Sequence, residues 1–571
     1  MNYIKWHEKN LETKLKEIGY DSSVLIFPCS KRELGDFQIN IAMSLAKKYH
    51  KNPQLIAEEI VKCFDLEYVD VNIANPGFIN FKFSDDSLLN YVNSGVDDFN
   101  NLIEKHNSQL IFLDYGGANA AKALHVGHMR SPNIGEAMKR LANMLGDKTI
   151  SDVHLGDLGR QAGMLISEIK RRGDYPEFFS DNYKGEFPKV KYTSADLGEL
   201  YVSANIKAKE DEKVLQEVRD ITAAIDSGDT RYIALWKQLI NISIVDIKAI
   251  YDKLNCTFDL WEGELDSFKD VPKMLQKLDK YLYSSNGALV IDVKKDTDTK
   301  EMPPLIVIKN DGATIYATRD LATIYSREER FHPDEIWYFT DNRQSLYFEQ
   351  VFRASYIGKL IPNTCKLKHF PFGTINGYDG KPYKTRDGGV MELANLIKII
   401  SLEIDKKLTK DLDNREEIKE KLAIAALKYA DLSSYRETDY VFDEVKFSSF
   451  DGKTGPYILY TVVRLKSLLK KSPDKKYHIT KINNLEIRDI LLKVLELSNI
   501  LNRSYEDKSL NYLADYLFDL ASLFNKFYNN HYILNEKDLE IKNTYLGVCK
   551  LVYNILHNIL NILAIEEVDK M

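Results

Sequence analysis

The sequence lacks paired cysteines and long hydrophobic runs. Its five cysteines, Cys29, Cys63, Cys256, Cys365 and Cys549, are scattered along 571 residues and never form a Cys-x-x-Cys pair. This spacing argues against a disulfide framework and against a structural zinc site. No apolar run approaches the roughly 20 residues of a membrane helix, and the charged, amphipathic N-terminus has no signal-peptide pattern. We therefore expect a cytoplasmic protein that does not bind a membrane.

An excess of positive charge is also missing. The chain has 78 basic and 85 acidic residues and a net charge of −7, so its overall charge does not indicate a nucleic-acid partner. A polyanion would have to bind to local basic surface instead. Hydrophobic residues make up 44% and charged residues 29%, as in an ordinary globular protein. A chain of this length is expected to fold into about three or four domains.

The character of the sequence changes twice along the chain. Residues 1–105 combine helical patterns, near 2–18 and 36–50, with an alternating strand-like run at 75–84. The apolar run LIFLDY at 110–115 is then typical of a strand in a parallel sheet. It opens an α/β region.

That α/β region is predicted to span 106–395 and to contain a helical insertion at about 170–300, with a long helix at 230–255. Further strand signals stand at 287–293, 304–309 and 335–340. From 396 to 571 strand signals nearly vanish, and repeated amphipathic patterns indicate a helical bundle.

A His-x-Gly-His motif follows the first predicted strand of the α/β region. It stands where a helix should begin, and free N–H groups and the helix dipole favour a phosphate there. Gly127 would let a nucleotide approach the backbone closely. His125 and His128 lie three positions apart and can both donate to one phosphate chain. Taken alone, the tetrapeptide also fits a metal site or a simple helix cap.

A second motif, GKPYKTRDGG at 380–389, places basic residues between glycines. A cationic loop of this kind can close over a triphosphate and stabilise charge that develops in the transition state. A solvated β-turn explains the same residues if the motif is considered alone.

Together, and in this order, the two motifs resemble the ATP signature pair of class I aminoacyl-tRNA synthetases. Longer segments narrow the resemblance to the arginyl-tRNA synthetase family: ANAAKALHVGHMRS, SDVHLGDLGRQAGMLI, IYATRDLATI, DNRQSLYFEQVF, GKPYKTRDGG, KYADLSSYRETDYVFD and GPYILYTVVRL, with GDFQINIAMSLAK and NPGFINF near the N-terminus. The resemblance covers essentially the whole chain. No GxGxxG fingerprint follows a strand, so a dinucleotide enzyme is not supported.

The resemblance implies the fold class and the domains. We expect a Rossmann-like class I α/β catalytic domain with a helical insertion at 106–395. An N-terminal α+β domain at 1–105 would touch the tRNA elbow. An all-α stem and anticodon-binding bundle would occupy 396–571.

The resemblance also implies which residues bind L-arginine. In the family, the aspartate of a Tyr-x-x-x-Asp stretch recognises the guanidinium, and here that stretch runs from Tyr316 to Asp320. A carboxylate can accept a bidentate pair of hydrogen bonds from this planar cation. Asp114 at the end of the first strand, Asn119 near the substrate carboxylate and Gln344 complete the implied set.

The residues assigned to ATP are His125, Gly127, His128, Lys384 and Arg386. Lys384 takes the place of a lysine in the loop that reads Lys-Met-Ser-Lys-Ser in other class I enzymes. Lys122, just before the histidine motif, stands where related enzymes carry a compensating cation. The predicted catalytic residues are therefore His125, His128, Lys384 and Lys122. ATP is expected as a substrate, assisted by Mg²⁺, and no metal ligands are predicted in the protein.

For tRNA(Arg), the resemblance implies contacts from the C-terminal bundle. Tyr457 and Tyr460 can stack on unpaired anticodon bases, and Arg464 can reach a phosphate or a base edge. The two tyrosines are three residues apart, a spacing that also fits an ordinary helix core. A monomer is expected because the family is usually monomeric.

Some positions depart from the family's usual sequence. Gly116-Gly117-Ala118 stand where Ser-Ser-Pro is usual, Leu158 replaces a tryptophan, and Arg160 adds a positive charge. None of these changes removes a catalytic group, but they bear on the affinity for arginine.

The leading prediction is an arginine–tRNA ligase that forms arginyl-adenylate and attaches arginine to the 2′-hydroxyl of the terminal adenosine. One alternative is a paralogue with an altered pocket, either resistant to an arginine-like inhibitor or serving a specialised pathway. Another is a non-catalytic tRNA-binding regulator, although retention of His125, His128, Lys384 and Asp320 argues against it.

Overall fold

The computed structural model describes residues 2–29, 31–120, 123–383, 391–409, 412–472 and 477–571. The chain forms two compact units. The first comprises Met1–His106, Lys407–Tyr429 and Ser448–Met571, and the second comprises Asn107–Lys406 and Ala430–Phe447. Across the described ranges, every helix is too short or too polar to cross a membrane.

The N-terminal part of the first unit is an antiparallel sheet with helices packed on it. Its elements are α1 (Tyr3–Glu17), β1 (Phe27–Pro28), β2 (Phe37–Ile39), α2 (Ile41–Tyr49), α3 (Pro53–Val61), β3 (Tyr68–Ala74), β4 (Phe78–Phe83) and α4 (Asp85–Asp97). The strand order is β1-β2-β4-β3. The helix expected over 36–50 is shorter than predicted, because Phe37 and Ile39 bury as a strand paired with Phe81 and Ile79 of β4.

The second unit contains all the remaining strands of the described ranges. Its elements are β5 (Leu110–Asp114), α5 (Arg130–Met144), β6 (Lys148–Asp152), α6 (Arg160–Arg172), α7 (Ser194–Glu210), α8 (Glu212–Asp226), α9 (Thr230–Lys253), α10 (Val271–Leu278), β7 (Leu282–Ser285), β8 (Ala288–Ile291), β9 (Leu305–Ile308), α11 (Tyr316–Phe331), β10 (Glu335–Tyr338), α12 (Ser345–Ile357), β11 (Lys366–His369), β12 (Ile375–Asn376) and α13 (Leu393–Asp405).

A four-stranded parallel sheet in the order β11-β10-β5-β6 forms the centre of this unit. The chain leaves β5 towards β6 on one side, whereas β10 and β11 are added on the other side. The strand order therefore reverses between β5 and β10. Parallel α/β sheets bind ligands at the carboxyl ends of their strands at such a switch point.

The insertion is helical, as predicted, and places a second sheet beside the first. Helices α7 to α10 fill it, and α9 confirms the long helix expected at 230–255. The predicted strand signals at 287–293 and 304–309 form β8 and β9. Together with β7, these strands make a separate antiparallel sheet rather than additional strands of the parallel sheet. Leu305 and Val307 of β9 pack in the same apolar core as Leu321 of α11.

The remaining elements are α14 (Arg415–Leu432), β13 (Tyr440–Val441), α15 (Glu444–Phe447), α16 (Gly455–Lys470), α17 (Leu485–Leu495), α18 (Leu497–Glu506), α19 (Asn511–Asn530) and α20 (Leu539–Ile562). Strand β13 pairs in parallel with β12 inside the second unit. Helices α16 to α20 form the predicted C-terminal bundle. Within the first unit, Arg488 of α17 forms ion pairs with Asp36 and Asp85.

Candidate functional site

The carboxyl ends of three neighbouring strands bring acidic and aromatic residues into line. In the sheet register Tyr338 of β10 pairs with Asp114 of β5, and Asp114 pairs with Asp152 of β6. Because the strands are parallel, all three residues lie at the same edge of the sheet. The predicted arginine ligand Asp114 therefore stands at the switch point of the fold.

Arg327 of α11 links the two aspartates at this edge. Its guanidinium nitrogens lie 2.8 Å from Asp114 and 2.8 Å from Asp152, and the group stacks over the ring of Phe112 at 4.4 Å. Burial by itself raises the pKa of Asp152, but His154 and Arg327 outweigh burial and hold that pKa below its usual range. Asp152 therefore stays ionised at neutral pH.

The predicted guanidinium ligand Asp320 lies on the same helix as Arg327, seven residues before it. It follows Tyr316 by one turn of α11, and Tyr316 itself is 63% exposed. The hydroxyl of Tyr347 donates a hydrogen bond to the Asp320 carboxylate. Burial raises the pKa of Asp320; the charge of His154 opposes this shift, and that of Asp114 adds to it. The structure thus brings Asp114 and Asp320 within electrostatic reach of each other.

A further carboxylate, Glu264, reaches α11 from a short 3-10 turn at Glu264–Asp270. Its Oε2 accepts a 2.7 Å hydrogen bond from Arg319 of α11. Burial raises the pKa of Glu264 to about 7, with Arg319 opposing the shift and Asp320 adding to it. Acidic groups from β5, β6, α11 and the insertion therefore converge, a composition suited to a ligand with several N–H donors.

The two predicted amide ligands lie in the loops that follow β5 and β10. Asn119 is exposed, and its backbone pairs with Gly156 in a parallel bridge. A Cβ at Gly156 would lie 2.8 Å from Asn119 Oδ1, so the glycine leaves room for this amide. Gln344 is also exposed and ends a 3-10 turn at Asn342–Gln344, just before α12.

The histidine motif forms a tight turn at the entrance to α5. The backbone N–H of His125 donates to Nδ1 of His128 at 3.1 Å, and the two ring centroids are 3.7 Å apart. A Cβ on Gly127 would lie 2.9 Å from the His125 ring. Any other residue at position 127 would therefore force the His125 imidazole to shift, although the backbone of Gly127 is not left-handed.

Buried polar contacts hold the first turn of α5 in place. Arg130 donates to Asp431 at 2.9 Å and to the carbonyls of Gly373 and Thr438 at 2.8 and 3.0 Å. Asn133 donates to the other oxygen of Asp431 at 2.9 Å. The segment KYADLSSYRETDY therefore contributes to the site by fixing the helix that follows the histidines.

Both flanks of the basic stretch are anchored near these elements. Before it, the N–H of Tyr383 donates to the carbonyl of Ile375 in β12 at 3.0 Å. After it, the Met391 carbonyl accepts the N–H of Val126 at 3.0 Å, and Glu392 pairs with His125 in an antiparallel bridge. Three predicted residues, Lys122, Lys384 and Arg386, lie outside the described residues.

The departures from the family pattern occupy different environments. Gly116 has a φ of +100°, and a Cβ there would lie 3.0 Å from Phe258 and from Val153; Gly117 has a φ of +43° and open space around the Cβ position. Leu158 is buried, whereas Arg160 is exposed at the first position of α6. A serine at position 116 would therefore meet both backbone strain and a close contact.

A separate cluster surrounds the predicted tRNA contacts in the first unit. The guanidinium of Arg464 stacks over Tyr528 at 4.3 Å and over Tyr460 at 4.8 Å, and it donates to Asn525 at 2.6 Å. Asn525 in turn donates to the Tyr457 hydroxyl at 3.0 Å. Tyr460 is 42% exposed and Tyr457 is half-buried. Tyr460 is therefore not a core residue, and Arg464 is held by its neighbours.

Sequence reasoning missed several side chains of the pocket, among them Asp152, His154, Glu264, Arg327 and Tyr347. His154 and Tyr347 fall inside segments that carry the family resemblance, so that signal could have found them. Glu264 and Arg327 give no comparable signal, because their roles depend on contacts with residues remote in the chain.

Comparisons with known proteins agree with this architecture. Family profiles described as "tRNA synthetases class I (R), catalytic domain", "DALR anticodon binding domain" and "Arginyl tRNA synthetase N terminal domain" match residues 93–444, 458–571 and 7–83. An arginine–tRNA ligase from Alkaliphilus oremlandii is 42% identical, with 100% of this chain and 99% of the relative covered. One from Agathobacter rectalis is 39% identical over 97% of each chain.

The solved structure of arginyl-tRNA synthetase from Plasmodium falciparum superimposes with a TM-score of 0.80 at 23% identity, covering 100% of this chain and 99% of that one. At that identity, the likeness shows the fold alone. The fold and the switch-point site define a class I aminoacyl-tRNA synthetase. With the catalytic-domain match and full-length identity to curated relatives, the chain belongs to the arginyl-tRNA synthetase family.

Proposed function

We propose that this chain activates L-arginine with ATP and transfers the arginyl group to tRNA(Arg), with Asp320 and Asp114 as ligands of the guanidinium end of arginine. The observation that carries the assignment of residues is the proximity of these two carboxylates at the switch point. Each carboxylate is oriented by a partner, Asp320 by Tyr347 and Asp114 by Arg327. Asn119 and Gln344, in the flanking loops, reach the amino-acid end of the substrate, and Tyr316 borders the guanidinium.

The chemistry needs no nucleophile from the protein. A carboxylate oxygen of arginine attacks the α-phosphorus of ATP, the bond to the bridging oxygen breaks, and pyrophosphate leaves. The 2′-hydroxyl oxygen of the terminal adenosine then attacks the carbonyl carbon of arginyl-adenylate, and AMP leaves. Positioning and charge stabilisation supply the catalysis. His125, His128, Lys122, Lys384 and Arg386 are the proposed phosphate ligands, with Gly127 allowing the close approach.

Mg²⁺ fits this scheme as part of the substrate. The described residues contain no cluster of three or more histidine, cysteine or acidic side chains that could hold a metal ion. The acidic groups of the pocket are instead paired with arginine and tyrosine side chains. We propose that Mg²⁺ arrives on the ATP phosphates, where it neutralises charge.

We also assign tRNA recognition to the helical unit. Tyr460 offers an exposed ring on which a base can stack, and Arg464 is already oriented by Tyr528 and Asn525. Tyr457 supports the same network through Asn525. The N-terminal sheet is the proposed contact for the tRNA elbow. A cytoplasmic location and a monomeric state complete the proposal.

Arginine-dependent ATP–pyrophosphate exchange, with and without tRNA, tests the assignment of Asp320. Asp320→Asn keeps the size of the side chain and the partner Tyr347 but removes the charge. It should raise the KM for arginine by roughly a hundredfold, because the substrate cation loses a charged partner. The matched control is Glu329→Gln, at an exposed position on the same helix, which should behave as wild type. An unchanged KM in Asp320→Asn would place the guanidinium elsewhere.

The same assay separates the alternatives when all amino acids are supplied in turn. Preference for another amino acid would indicate a specialised paralogue, and no exchange at all would indicate a regulator. For tRNA, Arg464→Ala should weaken binding of tRNA(Arg) by about tenfold and leave the KM for arginine unchanged. The control Arg503→Ala removes an exposed arginine of the same bundle that also stacks on a tyrosine, Tyr512.

A further inference from the structure

His154 lies just beyond β6 in a conformation that the surrounding chain imposes. Its φ is +40°, a left-handed value that costs a histidine about 1 kcal/mol or more. The next residue is fixed on both sides, because the Leu155 N–H donates to the Glu262 carbonyl at 2.8 Å and the Leu155 carbonyl accepts the Glu264 N–H at 3.2 Å. The imidazole, only 13% exposed, is thereby held at the edge of the carboxylate pocket.

Charged groups surround this imidazole from every element that packs against it. Those in electrostatic contact with it are Asp152 from β6, Asp114 from β5, Asp320 and Arg327 from α11, Glu264 from the insertion and Asp157 from the loop after β6. Glu262, Asp266 and Arg330 line a small cavity beside it. Among the groups in electrostatic contact with His154, five are carboxylates and one is a guanidinium.

His154 interacts with its neighbours through charge and makes no well-formed hydrogen bond with the described residues. Its Nδ1 lies 3.5 Å from the Asp152 carboxylate, which is too long for a well-formed hydrogen bond. Neither ring nitrogen has a hydrogen-bond partner among the described residues. A buried polar ring without such partners is costly unless its charge balances the field of its neighbours.

We propose that His154 is a positioning residue that carries the balancing positive charge of the pocket before arginine binds and loses its proton when the substrate guanidinium arrives. This inference rests on the proposed function, because it takes Asp114 and Asp320 as ligands of arginine. Arg327 and the substrate guanidinium stay charged at all accessible pH values. His154 is therefore the one cation of this group that can lose its charge when arginine binds.

The electrostatics of the site set the pH range in which this happens. Burial lowers the pKa of His154, but Asp152 and Asp114 outweigh burial and raise the pKa to about 9. The imidazole is therefore protonated at neutral pH, and an additional cation nearby must lower its pKa. Between the lowered value and about 9, arginine binding releases a proton, so affinity for arginine rises with pH in that window.

Other groups of the pocket titrate lower. Burial raises the pKa of Glu264 to about 7 and that of Asp157 to about 6, and the pKa of Asp320 is also raised. An arriving cation expels protons from these carboxyl groups too, but mostly near and below pH 7. Among the groups of the pocket, proton release above pH 8 belongs to His154. The α-ammonium group of L-arginine titrates in the same range, so the release by His154 is the difference between the wild type and His154→Asn.

Isothermal titration calorimetry of L-arginine into the full-length chain tests the inference. Titrations at pH 7.0 to 9.5, in pairs of buffers with different ionisation enthalpies, measure the number of protons released. The wild type should release up to roughly one proton near pH 8.5, and its Kd should fall by as much as about tenfold per pH unit. His154→Asn, which tolerates a left-handed backbone, should lack the contribution of His154 to both effects above pH 8.

A second left-handed histidine supplies the matched control. His332 follows α11 with a φ of +46° and a 75% exposed side chain. His332→Asn should keep the wild-type proton release, and thermal unfolding of each variant shows that it is folded.

One result would overturn the inference: equal proton release above pH 8 by the wild type and by His154→Asn. Failure of the proposed function looks different. In that case Asp320→Asn would bind arginine as tightly as the wild type. If Asp320→Asn loses binding while the wild type and His154→Asn release equal numbers of protons above pH 8, the arginine pocket stands and His154 does not have the proposed role.

Discussion

Arg327 holds Asp114 at a distance of 2.8 Å, although the two residues come from distant parts of the sequence. The same guanidinium also contacts Asp152. Asp114 therefore cannot turn freely towards a ligand. The planar guanidinium has two donor nitrogens and can bind two carboxylates on adjacent strands at once. It thereby keeps the Asp114 carboxylate in a fixed position at the switch point.

Replacing Arg327 with lysine should separate geometry from charge. Arg327→Lys keeps the positive charge but cannot reach both carboxylates in a fixed arrangement. We expect the KM for arginine to rise about tenfold, with a small loss of stability. Arg327→Met leaves Asp114 and Asp152 without their guanidinium partner and should destabilise the chain by about 3–5 kcal/mol. Exchange kinetics and denaturant unfolding measure the two effects; wild-type behaviour of Arg327→Lys would mean that the fork geometry is unimportant.

The close approach of Gly127 to His125 predicts a defect specific to ATP. In Gly127→Ala, the added Cβ would lie 2.9 Å from the His125 ring, so the imidazole must move. We expect kcat/KM for ATP to fall by about tenfold to a hundredfold, while the KM for arginine and the unfolding midpoint stay near wild type. Gly198→Ala is the control, since nothing lies near its Cβ position within α7, and it should be neutral or slightly stabilising. Normal ATP kinetics in Gly127→Ala would remove the reason for a glycine in this turn.

The glycine pair after β5 allows a matched test of the family departures. Gly116→Ser combines a φ of +100° with contacts at 3.0 Å to Phe258 and Val153, so we expect a loss of about 2–3 kcal/mol. Gly117→Ser has a φ of +43° but open space, so its cost should be nearer 1 kcal/mol. Chemical denaturation gives the order of the two. A larger loss at position 117 would contradict this account.

Acid sensitivity of the N-terminal part should depend on His7. This ring is fully buried in α1 and contacts the Tyr68 hydroxyl at 2.7 Å. Burial lowers the pKa of His7 to about 4, even though the charge of Asp65 opposes this shift. In the unfolded chain the pKa is near 6.5, so unfolding takes up a proton between these values. As pH falls from about 6.5 to 4, this group should reduce the free energy of unfolding by up to about 3 kcal/mol.

His7→Phe should remove that pH-dependent part, whereas His50→Asn, at an exposed position, should keep it. Unfolding free energies of the three proteins at pH 7, 5.5 and 4.5 provide the comparison. A parallel loss in wild type and His7→Phe would assign the acid sensitivity to other groups.

Much of the fold could be predicted because the signals are local. The run at Leu110–Asp114, the helix at Thr230–Lys253 and the amphipathic C-terminal helices each depend on residues a few positions apart. Prediction from the sequence is less accurate where pairing with a distant segment decides the secondary structure. Phe37 and Ile39 became a strand because β4 was available to pair with them, and β8 and β9 joined their own sheet because β7 pairs with β8. No local pattern contains that information.

The amino-acid sequence by itself determined the class of this protein, the order of its motifs and the candidates His125, His128, Asp114 and Asp320, because residue type and spacing along the chain carry those features. Only the tertiary structure decided that Arg327, His154, Glu264 and Tyr347 join them. Those side chains come from the loop after β6, the insertion, α11 and α12, and they act on one another only after the sheet and its crossovers bring them to the same edge. Electrostatic interactions depend on separation in space, and separation along the chain says little about it.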